Sequence, residues 1–140
     1  MQGDDWATVL QANDGYQLFE PADAESIAHA EATLDMRLPS ALRDLYRATN
    51  GVHDSPGQWF VIWPIQEVIA RNQDAYHREG GDREMFVAFG DNGTGDPFCV
   101  RRTGEAEVLY WSPIDHQATH QADDLLAWWT AWVTGSLPNA

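Results

Sequence analysis

Apolar residues change their spacing several times along the chain, and each change predicts an element. Trp6, Val9 and Leu10 recur at three- and four-residue intervals behind Asp4-Asp5, which predicts a short helix with acids at its positive end and Asn13-Asp14-Gly15 as its stop. Tyr16 to Phe19 reads as a brief extended segment. Pro21-Ala22-Asp23 then opens a helix with Ala24, Ile27, Ala28, Glu31 and Leu34 along one face. Glu31 is an acid on an apolar stripe. Because a buried carboxylate needs partners, it belongs at the rim or hydrogen-bonded to backbone beyond the helix, and we read it as structural. Pro39 suits the first position of the next helix, whose inward stripe is Leu38, Leu42, Leu45, Tyr46 and Thr49, with Asn50-Gly51 as a left-handed stop. Val52 to Gly57 reads as a loop. The run Gln58-Trp59-Phe60-Val61-Ile62-Trp63 is predicted as the first main strand, with Trp59, Val61 and Trp63 on one face and Phe60 and Ile62 on the other.

Pro64 begins another helix, reaching about His77 with Ile65, Val68, Ile69, Asn72 and Tyr76 at helical spacing, and Glu79-Gly80-Gly81-Asp82 ends it. The centre of the chain is a hairpin. Phe86 to Gly90 and Phe98 to Arg101 flank Asp91-Asn92-Gly93-Thr94-Gly95-Asp96, and Asn92-Gly93 and Gly95 tolerate the positive φ of a tight reversal. Val108 to Trp111 is a third strand, Ser112-Pro113 breaks it, and residues 114–120 form a polar connection. Ala122 to Val133 reads as the clearest helix. Ala122, Leu125, Leu126, Trp129, Trp132 and Val133 cover its broad inward face, and Trp128 falls roughly 100° from the centre of that face, as a rim aromatic. Gly135 and Pro138 end the fold. These elements predict an α+β fold: an antiparallel meander with a central hairpin and about four helices packed mainly on one side.

Four pieces of this pattern together resemble the SUKH superfamily, specifically its SMI/KNR-type domains. They are Leu38-Pro39-Ser40-Ala41-Leu42-Arg43-Asp44-Leu45-Tyr46, the helix-ending Asn50-Gly51, the strand–glycine loop–strand stretch at 86–100, and the tryptophan-rich last helix. The resemblance runs from about Trp6 to Gly135 and implies a single SUKH-like domain over residues 1–140. Many bacterial members are immunity proteins that neutralise toxins exchanged between competing cells, and eukaryotic relatives act in cell-wall signalling by binding proteins. What the resemblance implies is therefore a binder and not an enzyme, with no cofactor and no small-molecule substrate.

Composition narrows the partners. The chain has 140 residues and 44% apolar content, the size of one ordinary domain with a real core. Its formal charge of −14, from 22 acidic against 8 basic residues, argues against nucleic acid and anionic membranes, which need a positive surface, and favours a basic protein partner. One cysteine, Cys99, has no internal partner and suits a reducing setting. The N-terminus lacks the layout of a secretory signal, and no apolar run approaches the roughly 20 residues that span a bilayer. The expected location is the cytoplasm.

Candidate chemistry is sparse. Asp91, Asn92 and Asp96 on a glycine loop suggest calcium, but an EF-hand needs an acid at the twelfth position, where Arg102 stands, and a turn whose side chains cap their own backbone is favoured. His116 and His120 have the spacing of zinc-binding histidines on a helix, yet no Glu follows the first, and the stretch precedes a helix instead of lying in one. His29, His53 and His77 are scattered, and no local arrangement makes Cys99 a nucleophile. We therefore expect no metal site. The seven tryptophans say more. Trp129 and Trp132 read as core, whereas Trp59, Trp63 and Trp128 fit either core or interface anchors, since rings surrounded by acids are what a tight protein interface uses. The candidate partner-binding residues are Trp59, Trp63, Asp91, Asn92, Asp96, Asp115 and Trp128. Two functions are consistent with them: an immunity protein that occludes a cognate, basic toxin, or a regulatory or scaffolding domain that binds another cellular protein.

Overall fold

The computed structural model describes residues 6, 8–10, 15–55 and 58–137; Asp4-Asp5, Asn13-Asp14 and Pro138 lie outside them. Among these residues, β1 (Tyr16–Leu18), β2 (Val52–Asp54), β3 (Trp59–Ile62), β4 (Phe86–Asp91), β5 (Pro97–Arg101), β6 (Val108–Ser112) and β7 (Gln117–Ala122) form one seven-stranded antiparallel sheet whose spatial order is the chain order. Helices α1 (Ala24–Leu34), α2 (Ser40–Ala48), α3 (Ile65–Glu79) and α4 (Leu125–Thr134), with a 3-10 turn at Gly81–Met85, complete an α+β domain with its helices mainly on one side of the meander. Trp6 and Leu10, also helical, are buried in the same core.

Local chemistry explains most of the boundaries. Asp23 caps α1 by accepting from Ser26 N (2.7 Å). Glu31 accepts from Leu38 N (2.8 Å), stapling the end of α1 to the start of α2, the structural role expected of it. All five inward residues of α2 are buried. The buried side of α1 is Ile27, Ala30 and Leu34, and the predicted stripe members Ala24 and Ala28 are exposed. Pro39 stands just before α2 as its cap instead of inside it, and the helix ends at Thr49 in extended backbone (φ −157°), not in a left-handed stop. The positive φ falls at Gly51 (+103°), where a Cβ would meet Ile62 O and Pro64 N at 3.0 Å. Asn50 serves the next helix: its Oδ1 accepts from Ile65 N (2.7 Å) at the start of α3.

Two strands fall where the sequence predicts connections. The predicted loop after Gly51 contains β2, a three-residue strand paired with both β1 and β3. The predicted polar connection contains β7, an edge strand paired to β6, and only Gln121 and Ala122 of β7 are buried. An edge strand needs backbone bonds to one neighbour and no apolar alternation, so its sequence looks like a loop. Helix α4 accordingly starts at Leu125, capped by Asp124, whose Oδ1 accepts from Ala127 N (2.7 Å).

The join between β3 and β4 organises the centre. Ile62 pairs with Gly90, and a Cβ on Gly90 would lie 1.9 Å from Val61 O, so only glycine lets the strands meet there. Trp63 N then donates to Phe89 O (2.8 Å), and β3 stops. From that point the Asn72 side chain continues the ladder along β4, donating to Ala88 O (2.9 Å) and accepting from Ala88 N (2.8 Å). Its amide also donates to Val68 O (2.6 Å) and accepts from Arg83 Nη2 (2.8 Å), so one buried asparagine ties α3, β4 and the 3-10 turn together. On α4, Trp128 packs against Phe89 and Phe98, with ring centroids 5.0 and 5.1 Å away, and Trp129 packs against Tyr16 at 4.9 Å.

Candidate partner-binding site

The turn between β4 and β5 gathers five of the seven candidate residues. Asp91 Oδ1 accepts from Gly93 N (2.7 Å), its Oδ2 accepts from Trp63 Nε1 (2.8 Å), and its backbone oxygen accepts from Trp59 Nε1 (3.3 Å). Asn92 Oδ1 accepts from Thr94 N (3.0 Å) and Thr94 Oγ1 (2.6 Å). These bonds are the self-capping turn expected of the glycine loop. Asp96 accepts from Tyr110 OH (2.6 Å), and burial, with the Asp96 carboxylate beside it, pushes the Tyr110 hydroxyl up to about 12. The ring of Trp59 lies over Gly93, 3.3 Å from where a Cβ would stand, and meets Trp132 edge-on at 6.2 Å.

Within this cluster, accessibility divides the roles. Asp91 is 7% exposed and Trp63 4%. Their mutual bond, with Arg71 Cζ 4.7 Å over the Trp63 ring and Arg71 Nη1 3.9 Å from Asp91, is a framework under the surface. Trp59, Asn92, Asp96 and Trp132 are half-buried and present the outer face of the turn. Asp115 is exposed in the separate turn between β6 and β7, where its N–H donates to Ser112 Oγ (3.1 Å).

Trp128 must be corrected. It is 0% exposed, not at a rim, so no partner reaches it in this fold. Because Gln121 and Ala122 belong to β7, Ala122 no longer defines a helical face, and the buried positions Leu125, Trp128 and Trp129 recentre the stripe on the ring that had been placed outside.

The histidine pair separates as well. His116 sits in a turn with φ +55°, 3.6 Å from Glu79 Oε1, while His120 lies in β7 with Nδ1 2.6 Å from Glu107 Oε2. Hydrogen bonds from Arg101, then His120, hold the Glu107 carboxyl below the usual carboxylate range. Burial pushes the Cys99 thiol up to about 12, so it is a protonated, packed sulfur at neutral pH.

Sequence reasoning missed a cleft of about 350 Å³ beside this turn, between α3, the 3-10 turn, the β4–β5 turn and Pro113. Its walls include Trp63, Arg71, Arg78, Arg83, Asp74 and Glu79. Asn72, a polar residue at helical spacing with Val68 and Ile69, was the one signal that something buried needed hydrogen bonds there; Arg83, within Gly-Gly-Asp-Arg-Glu, gave none. Glu79 accepts from Trp111 Nε1 (2.9 Å), which ties the end of α3 to β6.

The chain-order antiparallel meander with helices mainly on one side is consistent with a SUKH-like fold. Residues 21–130 match the model of the SMI1 / KNR4 family (SUKH-1), and the chain belongs to that family. No curated protein matches it. Among the described residues no helix is long and apolar enough to cross a membrane.

Proposed function

We propose that this chain is an immunity protein, which binds a cognate basic toxin in the cytoplasm and blocks it by covering its working surface, without catalysing a reaction. The observation that carries this reading is a charge of −14 on a SUKH-1 domain. Asp82, Glu84, Asp115, Asp123 and Asp124 are all exposed, and such a field speeds encounter with a cationic surface and rejects anionic ones. Trp59 and Trp132, half-buried and edge-to-face with each other, supply the aromatic area that an interface core uses.

Co-expression with the toxin encoded beside it should rescue growth, and the purified pair should form a complex whose association rate falls as salt rises. Trp59→Ala should speed dissociation. No rescue, together with no complex, would remove the toxin reading and leave a regulatory domain that binds some other protein.

A further inference from the structure

We infer that the cleft between α3 and the β4–β5 turn seats a carboxylate side chain of the bound protein. For its occupant this rests on the partner-binding reading above; the site itself rests on the cleft. Three of the chain's eight basic residues, Arg71, Arg78 and Arg83, line one recess in a protein that is acidic overall. Arg78 is paired with Asp74 (2.8 Å) and Arg71 with Glu67 (3.3 Å), which leaves the charge of Arg83 uncompensated. Arg83 is the unusual member. It is 2% exposed; Nη1 donates to Phe86 O (2.9 Å) and Nη2 to Asn72 Oδ1 (2.8 Å), while Nε has no acceptor. Among the described residues no carboxylate pairs with it. The face of Tyr76, 5.2 Å from Cζ, is its softest compensation. A guanidinium buried without a counter-charge is unfavourable, and an anion brought to the recess recovers part of that cost.

The anion is a singly charged one. Asp74 and Glu79 share the walls, and Asp91 stands 3.9 Å from Arg71, so the second charge of a phosphate would be opposed while a carboxylate is matched. Trp63, Ala75, Pro97 and Pro113 give the walls an apolar part that suits the aliphatic stem of an acidic side chain. A protein-borne source is indicated by Ile114. It follows Pro113 at the lip and is 90% exposed, a large apolar side chain that the core does not use. Long-range attraction by the surrounding acids then brings a basic partner near, and the recess over the unpaired Arg83 fixes its orientation.

The isolated 15N-labelled protein tests the site with sodium acetate as probe, against sodium chloride at equal ionic strength and inorganic phosphate. Acetate should shift the Trp63 indole and Arg83 Nε–H resonances saturably, phosphate more weakly, and Arg78→Glu, at an exposed position, should weaken acetate binding roughly tenfold. Linear shifts equal to those of chloride would overturn the site, and phosphate binding as tightly as acetate would overturn its selectivity. In the toxin complex, Arg78→Glu and Ile114→Ser should each raise the dissociation rate about tenfold. An intact complex indifferent to both substitutions overturns the docking role and leaves the immunity reading standing. Saturable acetate binding without any toxin complex supports the site and removes that reading instead.

Discussion

Replacing Asn72 by Leu tests the device that holds α3 to the sheet. Leucine fills nearly the same volume on a face that already carries Ile65 and Val68, so packing changes little. The hydrogen bonds are another matter. Val68 O keeps its place in the helix ladder, but Ala88 N and Ala88 O lose the amide that continues β3 along β4, and Arg83 Nη2 loses an acceptor. Two buried backbone groups left unpaired cost about 1–3 kcal/mol each, and a lost bond to a charged group about 1.5–3 kcal/mol, for a total of roughly 4–9 kcal/mol. Since a domain of this size is stable by about 5–15 kcal/mol, the variant should be at or near the edge of unfolding in water. Asn72→Asp is the informative companion. It keeps both acceptances and gives Arg83 a counter-charge, but turns a carboxylate toward two carbonyls, so its loss should be about half that of the leucine variant. Urea unfolding followed by tryptophan fluorescence and far-UV circular dichroism gives both numbers by linear extrapolation. A leucine variant within about 1 kcal/mol of the parent would refute the reasoning, because it would mean that the amide does not stand in for the missing strand.

Other expectations follow from the same geometry. Gly90→Ala should lose about 2–4 kcal/mol, because its Cβ cannot share space with Val61 O and β3 must move off β4; urea midpoints check it, and parent-like stability would be the contrary result. Cys99 should resist an aromatic disulfide reagent at mildly alkaline pH in the native state and react at once in denaturant, since burial keeps it protonated up to about 12. Glu107 has a depressed folded pKa, so its contribution to stability is fully present above the unfolded value of about 4.3 and is lost as pH falls through the lower folded value. Stability-against-pH curves of the parent and Glu107→Gln should therefore lie apart near neutrality and converge in acid; parallel curves would contradict it.

How much of this was legible depended on how local the cause was. Glu31 could be assigned because an acid on an apolar stripe must find a donor, and the donor, Leu38 N, lies only seven residues away. The central hairpin was readable from Asn92-Gly93 and Gly95, and the stripe of α2 from simple periodicity. Both missed strands are short or solvated, so neither carries an apolar signature; their pairing is dictated by β1, β3 and β6. That miss propagated. With Ala122 read as helical, the face of α4 shifts and Trp128 falls at its rim. Within the candidate site, Trp59, Trp63, Asp91, Asn92 and Asp96 were each legible as candidates, but their meeting at one turn depends on the pairing of β3 with β4, and the burial of Arg83 depends on Asn72, eleven residues earlier.

Helix α4 is synthesised after every strand it covers. Until residues 125–134 leave the ribosome, Phe89, Phe98 and Tyr16 lack the indoles that pack on them. A chain cut short anywhere between β7 and that helix would display an aromatic patch to chaperones and proteases. Closing of α4 over the sheet is thus the step that removes this patch.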